Sequence, residues 1–338
     1  MTIFEPKIIK LNKGFVISAN KTLAFLSKSE FKTKGKQVIN DFYTTFDSNK
    51  LLNEGLLARA DKDTLSITIL PTMNCNLKCS YCFVDGGETK QKLSFNNSKY
   101  IIDQLIKEYP NIKKINVFFA GGGEPLLNFK LMAKIINYIL KVGLMPTVRI
   151  VTNGTKILNH LNWLLKYQVY LRISFDDETN FLTRPGKNFN STKKLKKVFQ
   201  ILKDKYPKDK ISVQMTITNT NIKNMSKDVL DLIINYGINT IKIESVHPSY
   251  SKRSKTAICP DPQEFSSKLM ETLDTIVNKN LKVYIDSSYL SLPSINYFCA
   301  LRNKLILSPQ GVLGSCVENI NENTTNGSIY WKTKLKKE

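Results

Sequence analysis

Met73-Asn-Cys75-Asn-Leu-Lys-Cys79-Ser-Tyr-Cys82-Phe83 decides how the rest of the chain is read. Three cysteines stand in the order C-x3-C-x2-C, directly after an apolar run at 65–70 and Pro71. Closely spaced thiols on a loop can converge on one metal centre. Three are one short of a closed tetrahedral zinc site, and a fourth ligand would have to come from His160, His247 or a distant cysteine. Three thiolates also suit a [4Fe–4S] cluster with one iron left open, where a substrate or cofactor can bind. A zinc knuckle and three unrelated buried thiols are the plainer readings of the same spacing.

Outward from this loop a rhythm extends toward the C-terminus. Strand-like apolar runs occur at 65–70, 115–120, 147–152, 170–175, 211–217 and 240–244. Helix-periodic segments separate them at 97–109, 129–142, 158–167, 191–205 and 225–236. Strands alternating with helices predict βαβ units and a parallel sheet. Right-handed crossovers put all the strand C-termini on one face, and six units suit a full or partial β/α barrel. The unusual residues fall just after the strands. The second strand runs into Gly121-Gly-Gly-Glu-Pro125, the third ends Thr152-Asn-Gly154, the fourth Ser174-Phe-Asp176 and the sixth Ile243-Glu244. Glycines let the backbone approach a ligand closely, and Glu124 offers a carboxylate to an ammonium group. The glycine run is not a P-loop, because Glu-Pro stands where Gly-Lys-Ser/Thr is needed. Each motif alone can be turn chemistry. Their common register at one barrel mouth points to a single site.

Taken together, Cys75-x3-Cys79-x2-Cys82 with Tyr81 before the third cysteine, Gly122-Gly-Glu-Pro125, Thr152-Asn-Gly154, Ser174-x-Asp176 and Thr216–Asn219 resemble the radical S-adenosylmethionine (SAM) superfamily. The likeness spans about 65–250. It implies a partial (β/α)6 barrel, a [4Fe–4S] cluster on Cys75, Cys79 and Cys82, and SAM on the open iron. It also implies reductive cleavage of SAM to a 5′-deoxyadenosyl radical that takes hydrogen from a substrate. By this resemblance Gly122, Gly123 and Glu124 hold the methionyl amine, and Ser174 and Asp176 address carboxylate or ribose. Tyr81 and Glu244 border the adenine, and Thr216 and Thr218 belong to the same pocket. Phe83 is expected to pack rather than act.

The tail holds a second informative stretch. Cys299-x16-Cys316 flanks a predicted hairpin, 304–307 and 312–313, turning at Ser308-Pro-Gln-Gly311. This pattern is similar to the opening of SPASM or twitch auxiliary-cluster domains, which extend peptide-modifying radical SAM enzymes such as anaerobic sulfatase maturases and ribosomal peptide maturases. Arg184-Pro185-Gly186 looks like the same subgroup. Those relatives continue with further cysteines, whereas this chain ends at Glu338 with only Cys259, Cys299 and Cys316 outside the main motif. A second, auxiliary cluster on Cys299, Cys316 and Cys259 then needs a non-cysteine ligand or leaves a position open. A small α/β appendage at 1–64, with a possible helix at 29–45, resembles part of a leader-peptide recognition element. The expected organisation is therefore appendage 1–64, core 65–250, and a shortened C-terminal extension 251–338 with a helix at 262–279 and a strand at 281–286. His160 is read as a structural side chain in a helix. His247 is read as a hydrogen-bonded side chain, with a substrate-pocket acid or base as the alternative.

Composition narrows the class. The chain has 338 residues, 42% hydrophobic and 23% charged, enough for a sizeable core and unlike a disordered or fibrous chain. No run approaches the ~18 apolar residues of a membrane span, and the start lacks a secretory signal pattern. Six cysteines in such a chain read as metal or redox chemistry, and the expected location is the cytoplasm. Fifty basic against 28 acidic residues give a net charge of +22. Nucleic acid, an anionic membrane or an acidic peptide would be attracted. Only six of the basic residues are arginine (59, 149, 172, 184, 253, 302), which argues against a nucleic-acid reader. The leading expectation is a radical SAM enzyme modifying a peptide or protein side chain, with an acidic leader peptide as partner and a flavodoxin or ferredoxin as electron donor. A radical SAM enzyme acting on RNA, and a non-catalytic iron–sulfur peptide-binding protein, are the alternatives.

Overall fold

The computed structural model describes residues 63–246, 257–287 and 305–311, together with shorter stretches at 7–10, 14–19, 22–29, 31–33, 36, 253 and 313–314. Near the N-terminus, β1 (Lys7–Lys10), β2 (Gly14–Ala19) and β3 (Thr22–Ser27) form an antiparallel meander of three strands. The expected helix at 29–45 lies mostly outside the described residues.

The main sheet follows the strand rhythm of the sequence. Its strands are β4 (Thr64–Ile69), β5 (Lys114–Phe119), β6 (Met145–Thr152), β7 (Tyr170–Ser174), β8 (Ile211–Ile217) and β9 (Thr240–Ser245). Each pairs in parallel with the next. Two further parallel strands extend it, β10 (Tyr284–Asp286) beside β9 and β11 (Leu305–Leu307) beside β4, and β12 (Leu313–Gly314) returns antiparallel on β11. The spatial order is β10-β9-β8-β7-β6-β5-β4-β11-β12. The eight parallel strands form an open α/β sheet, the partial-barrel architecture. The strand–helix rhythm continues into the extension expected at 251–338. The helix and strand expected there form one more β–α–β unit on the sheet edge, and the tail hairpin pairs with the opposite edge.

The crossover helices are α1 (Phe95–Glu108), α2 (Phe129–Lys141), α3 (Leu161–Lys166), α4 (Asn180–Thr183), α5 (Ser191–Lys205), α6 (Met225–Tyr236) and α7 (Pro262–Asn278). Caps mark their starts. Ser94 accepts from the Asn97 amide at 3.1 Å, Asn190 from Lys193 at 2.9 Å, and Asp261, ahead of Pro262, from Gln263 at 2.9 Å. The expected helix at 158–167 splits. A 3-10 turn, Ile157–His160, precedes α3, because polar Asn159 and His160 break the regular helix. His160 stacks flat on Phe129 with ring centroids 3.8 Å apart, a packing role.

Period-two alternation separates the two faces of the sheet. Ile67, Ile69, Val117, Phe119, Val148, Ile150, Leu171, Ile173, Val213, Met215, Ile241 and Ile243 are buried under the helices. Against them lie the apolar stripes of α2 (Leu131, Met132, Ile135, Ile136, Ile139) and α5 (Leu195, Val198, Phe199, Leu202). Each buried side chain of this size contributes about 1.5–3 kcal/mol of transfer free energy. The alternate residues, among them Ser66, Asn116, Arg149, Arg172, Ser174, Gln214, Thr216, Lys242 and Glu244, face the other way and stay partly or fully exposed. A strand buried on both faces would be apolar throughout. Here the face that carries no helix among the described residues is polar, and the β–α loops crown it at the strand C-termini.

Candidate active site

The cysteine loop leaves β4 and is held from three sides. Met73 donates its N–H to Gln91 O at 2.9 Å and Gly87 donates to Met73 O at 2.7 Å, closing the loop on itself. Gly123 N donates to Thr72 O and Glu124 N to Asn74 O, both at 2.8 Å, which lays the glycine run alongside. On the far side, Lys78 N donates to Pro185 O and Ser80 N to Thr183 O, both at 2.9 Å. The three thiols lie on this frame, each partly exposed. The Cys82 sulfur accepts from the Gly86 amide at 3.2 Å, and the Asn153 side-chain amide points at the Cys75 sulfur from 3.9 Å. Amides directed at sulfur are the usual means of tuning an iron–sulfur centre.

The glycines beside the loop are obligatory. A Cβ on Gly123 would stand 1.9 Å from Asn74 O. Gly122 has φ +68° and would meet Thr72 O at 2.8 Å. Burial pushes the Cys75 thiol up and the Cys79 thiol up to about 12, so without a cation both stay protonated. Iron would displace those protons and neutralise the thiolates it creates. The donor set, the backbone cradle and the directed amides fit an iron–sulfur cluster.

Glu124 is 2% exposed and its carboxylate is already held. Oε1 accepts from Thr152 Oγ1 at 2.7 Å and from Leu126 N at 3.1 Å, and Oε2 from Asn153 N at 2.7 Å. Burial raises its pKa, and these bonds pull the other way. Asn153 goes on to donate to Asn76 Oδ1 at 2.9 Å, and Asn76 donates to Thr155 Oγ1 at 2.8 Å. The Thr152-Asn-Gly154 turn therefore locks Glu124 and the cysteine loop together.

A second network lies opposite. Asp176 is fully buried. Its Oδ2 accepts from the Tyr81 hydroxyl, from Thr183 Oγ1 at 2.7 Å and from Arg184 Nε at 3.1 Å, and its Oδ1 from Thr216 N at 3.1 Å. Arg184 Nη2 reaches Thr216 Oγ1 at 3.3 Å, and its guanidinium lies 5.0 Å from the Tyr81 ring centroid. Burial works against the Arg184 charge, but Asp176 more than offsets it, so the guanidinium stays protonated. Burial also drives the Tyr81 hydroxyl pKa well above its ordinary value.

Of the residues expected at the site, Tyr81, Asp176 and Thr216 meet in this network. Gly122, Gly123 and Glu124 meet at the cysteine loop. Ser174 stands at the C-terminal end of β7 on the open face, and Glu244 on β9 pairs with Lys242 at 3.0 Å. Phe83 is 43% exposed rather than packed in the core. Cys259 donates its thiol to Val246 O at 3.0 Å. Cys299, Cys316 and His247 lie outside the described residues. The sequence reading assigned no role to Arg184, Asn153, Asn76 or Arg253. Arg253 donates to Gly86 O at 2.6 Å, to Cys79 O at 3.4 Å and to Asp85 Oδ1 at 3.0 Å from its backbone N–H, clamping the cysteine loop from beyond β9. Arg184-Pro185 and Thr152-Asn-Gly154 were visible as motifs. Nothing in the sequence signals Arg253.

Open parallel sheet, three-cysteine loop and glycine cradle together define an iron–sulfur enzyme with a ligand site at the strand C-termini, and residues 69–233 match the radical SAM superfamily. The chain belongs to that superfamily; it is a radical SAM enzyme with a [4Fe–4S] cluster and SAM as cofactors. It is 31% identical over 264 residues to the uncharacterized protein MJ0907 of Methanocaldococcus jannaschii, covering 74% of this chain and 87% of that one. It is 27% identical over 266 residues to a cysteine-type anaerobic sulfatase-maturating enzyme of Clostridium novyi, covering 72% of this chain and 66% of that one. It is 22% identical over 275 residues to a probable GTP 3′,8-cyclase of Sulfurisphaera tokodaii, covering 78% and 84%. Among solved structures, anSMEcpe with bound AdoMet superposes with a TM-score of 0.63 at 18% identity, over 76% of this chain and 75% of that one. Streptococcus suis SuiB bound to precursor peptide SuiA superposes with a TM-score of 0.59 at 16% identity, over 97% and 85%. No helix among the described residues is long and apolar enough to cross a membrane.

Proposed function

We propose that this radical SAM enzyme modifies a side chain of a peptide or protein. The carrying observation is the extent of the likeness to SuiB in complex with its precursor peptide, 97% of this chain. That extent takes in sequence on both sides of the core. The sulfatase-maturating relative, matched over 72% of the chain, supports the same substrate class. The division into appendage 1–64, core 65–250 and extension 251–338 belongs to this reading, as does a flavodoxin or ferredoxin as reductant.

When bound, the cluster and SAM supply one-electron reduction and hydrogen-atom abstraction. The chain's own residues supply position and exclusion of water. Cys75, Cys79 and Cys82 hold the cluster. Gly122 and Gly123 would let the backbone come close to SAM, and the Glu124 carboxylate, fixed by Thr152 and Asn153, would take its ammonium group. Asp176 has its oxygens committed to Tyr81, Thr183, Arg184 and Thr216. Its proposed part is to hold Arg184 and Tyr81 in place, while Ser174, Thr216 and Glu244 present polar groups to the ligand.

The test is anaerobic reconstitution with iron and sulfide, then incubation with SAM, dithionite and a mixed library of synthetic peptides. Formation of 5′-deoxyadenosine with a mass change in a peptide supports the reading. Formation of 5′-deoxyadenosine with a mass change only in GTP or an oligoribonucleotide overturns it. Peptide binding without any SAM cleavage favours the non-catalytic binding protein.

A further inference from the structure

The chain uses lysine almost everywhere it needs a positive charge, and has only six arginines. Four of the six are among the described residues, and none stands on the outer, helix-covered surface. Arg184 and Arg253 brace the cysteine loop. The other two, Arg149 and Arg172, lie on the opposite face of the sheet, which carries no helix among the described residues.

The strand register places them side by side. Arg149 on β6 is opposite Tyr170 on β7, and Val151 is opposite Arg172, so the two arginines are diagonal neighbours on adjacent strands. Both are exposed. Arg149 lies between two rings, 5.4 Å from the Phe118 centroid and 5.0 Å from that of Tyr170, which orients its guanidinium without neutralising it. Neither arginine forms an ion pair among the described residues. Elsewhere the same face is self-neutralised, because Lys242 lies between Glu244 at 3.0 Å and Asp286 at 3.5 Å. Among the described residues, the arginines without an ion pair on this face are those of β6 and β7, joined by Lys210 just before β8, whose Nζ lies 3.8 Å from the same Tyr170 ring centroid. Arg172 is two residues below Ser174 on the same face, about 7 Å from the mouth where the cofactors sit.

We infer that Arg149 and Arg172 form a carboxylate-binding pocket for an Asp or Glu side chain of the peptide substrate, next to the residue that is modified. This rests on the peptide reading above. A guanidinium presents a planar fork that matches a carboxylate, which a lysine does not, and that accounts for arginine here in a chain that elsewhere chooses lysine. A carboxylate seated there would fix the register of the peptide beneath the strand C-termini.

The test uses fluorescein-labelled hexaglutamate and hexauridylate as probes, with full-length reconstituted protein, by anisotropy at physiological ionic strength. The variant R149Q/R172Q is compared with K130Q/K134Q, which removes the same charge from exposed positions on α2. The pocket predicts roughly tenfold weaker hexaglutamate binding in R149Q/R172Q, little change in K130Q/K134Q, and a partial loss in R149K/R172K, where charge remains but the fork does not. Equal losses in the two glutamine variants would reduce the effect to net charge and overturn the pocket. So would no measurable hexaglutamate binding by the unaltered protein, or a loss confined to hexauridylate. The two readings fail separately. Selective hexaglutamate loss with no peptide modified by the intact enzyme leaves the pocket standing without the peptide function. Peptides modified equally well with and without acidic residues, in both the intact enzyme and R149Q/R172Q, leave the function without the pocket.

Discussion

Asp228 lies in the first turn of α6, 1% exposed, and both carboxylate oxygens lack a hydrogen-bond partner among the described residues. Burial drives its pKa up to about 8, and Asp177, Glu178 and Asp231 add to the rise while Lys227 opposes it. A proton held by the folded chain and released by the unfolded chain makes stability fall as pH rises, here from about 4, the ordinary value, to about 8. At pH 7 the unfolded carboxyl, with its ordinary pKa of 3.8, is ionised while the folded one still holds its proton, which favours the unfolded chain by about 4 kcal/mol. Asp228→Asn keeps the shape and removes the titration. Its amide inherits the missing partners, and because the folded carboxyl is already neutral at pH 7 no favourable charge is lost from the α6 N-terminus. The expected net gain is about 2–4 kcal/mol at pH 7, a rise in melting temperature of about 3–6 °C for a chain of this length. Near pH 4 the two proteins converge. Denaturant or thermal unfolding of both at several pH values between 4 and 8 checks this. Asp177, raised to about 6 chiefly by burial, titrates in the same range and interacts with Asp228, so the part of the difference above pH 6 is the one that reports Asp228. Parallel stability profiles across that range would refute the reasoning.

Three further outcomes are expected. Gly123→Ala places a methyl 1.9 Å from Asn74 O, so the cysteine loop must shift, and reconstituted iron should drop well below the intact chain's while the circular dichroism of the fold persists. Asp176→Asn strands the buried Arg184 charge and should destabilise by about 3–5 kcal/mol, read as a lower denaturation midpoint; the loss should be much smaller in D176N/R184M, where no unpaired charge remains. Replacing any one of Cys75, Cys79 and Cys82 by alanine should abolish 5′-deoxyadenosine formation, whereas Cys259→Ala, which removes a thiol bonded to Val246 O, should leave it in place.

Much of the fold could be read in advance because its signals are local. Val, Ile and Phe runs alternating with amphipathic stripes specify strands and helices without reference to the rest of the chain, and α5 and α6 begin and end where their periodicity and caps say. The cysteine spacing and the Gly-Gly-Glu-Pro run could be read for the same reason, since a cluster loop and a close backbone approach demand those residue types at short range. Tertiary structure alone decided which strands border the sheet. The strands at 281–286 and 304–307 could be expected from the sequence, but their places beside β9 and β4 come only from pairing. It alone decided that Asp176, expected to face a ligand, spends its oxygens on Tyr81, Thr183, Arg184 and Thr216. Those contacts bring together residues up to 95 positions apart. It alone brought Arg253 to Gly86 across 167 positions, and set Arg149 beside Arg172 on the open face. Such contacts depend on strand order and register, and an isolated segment of the chain contains neither.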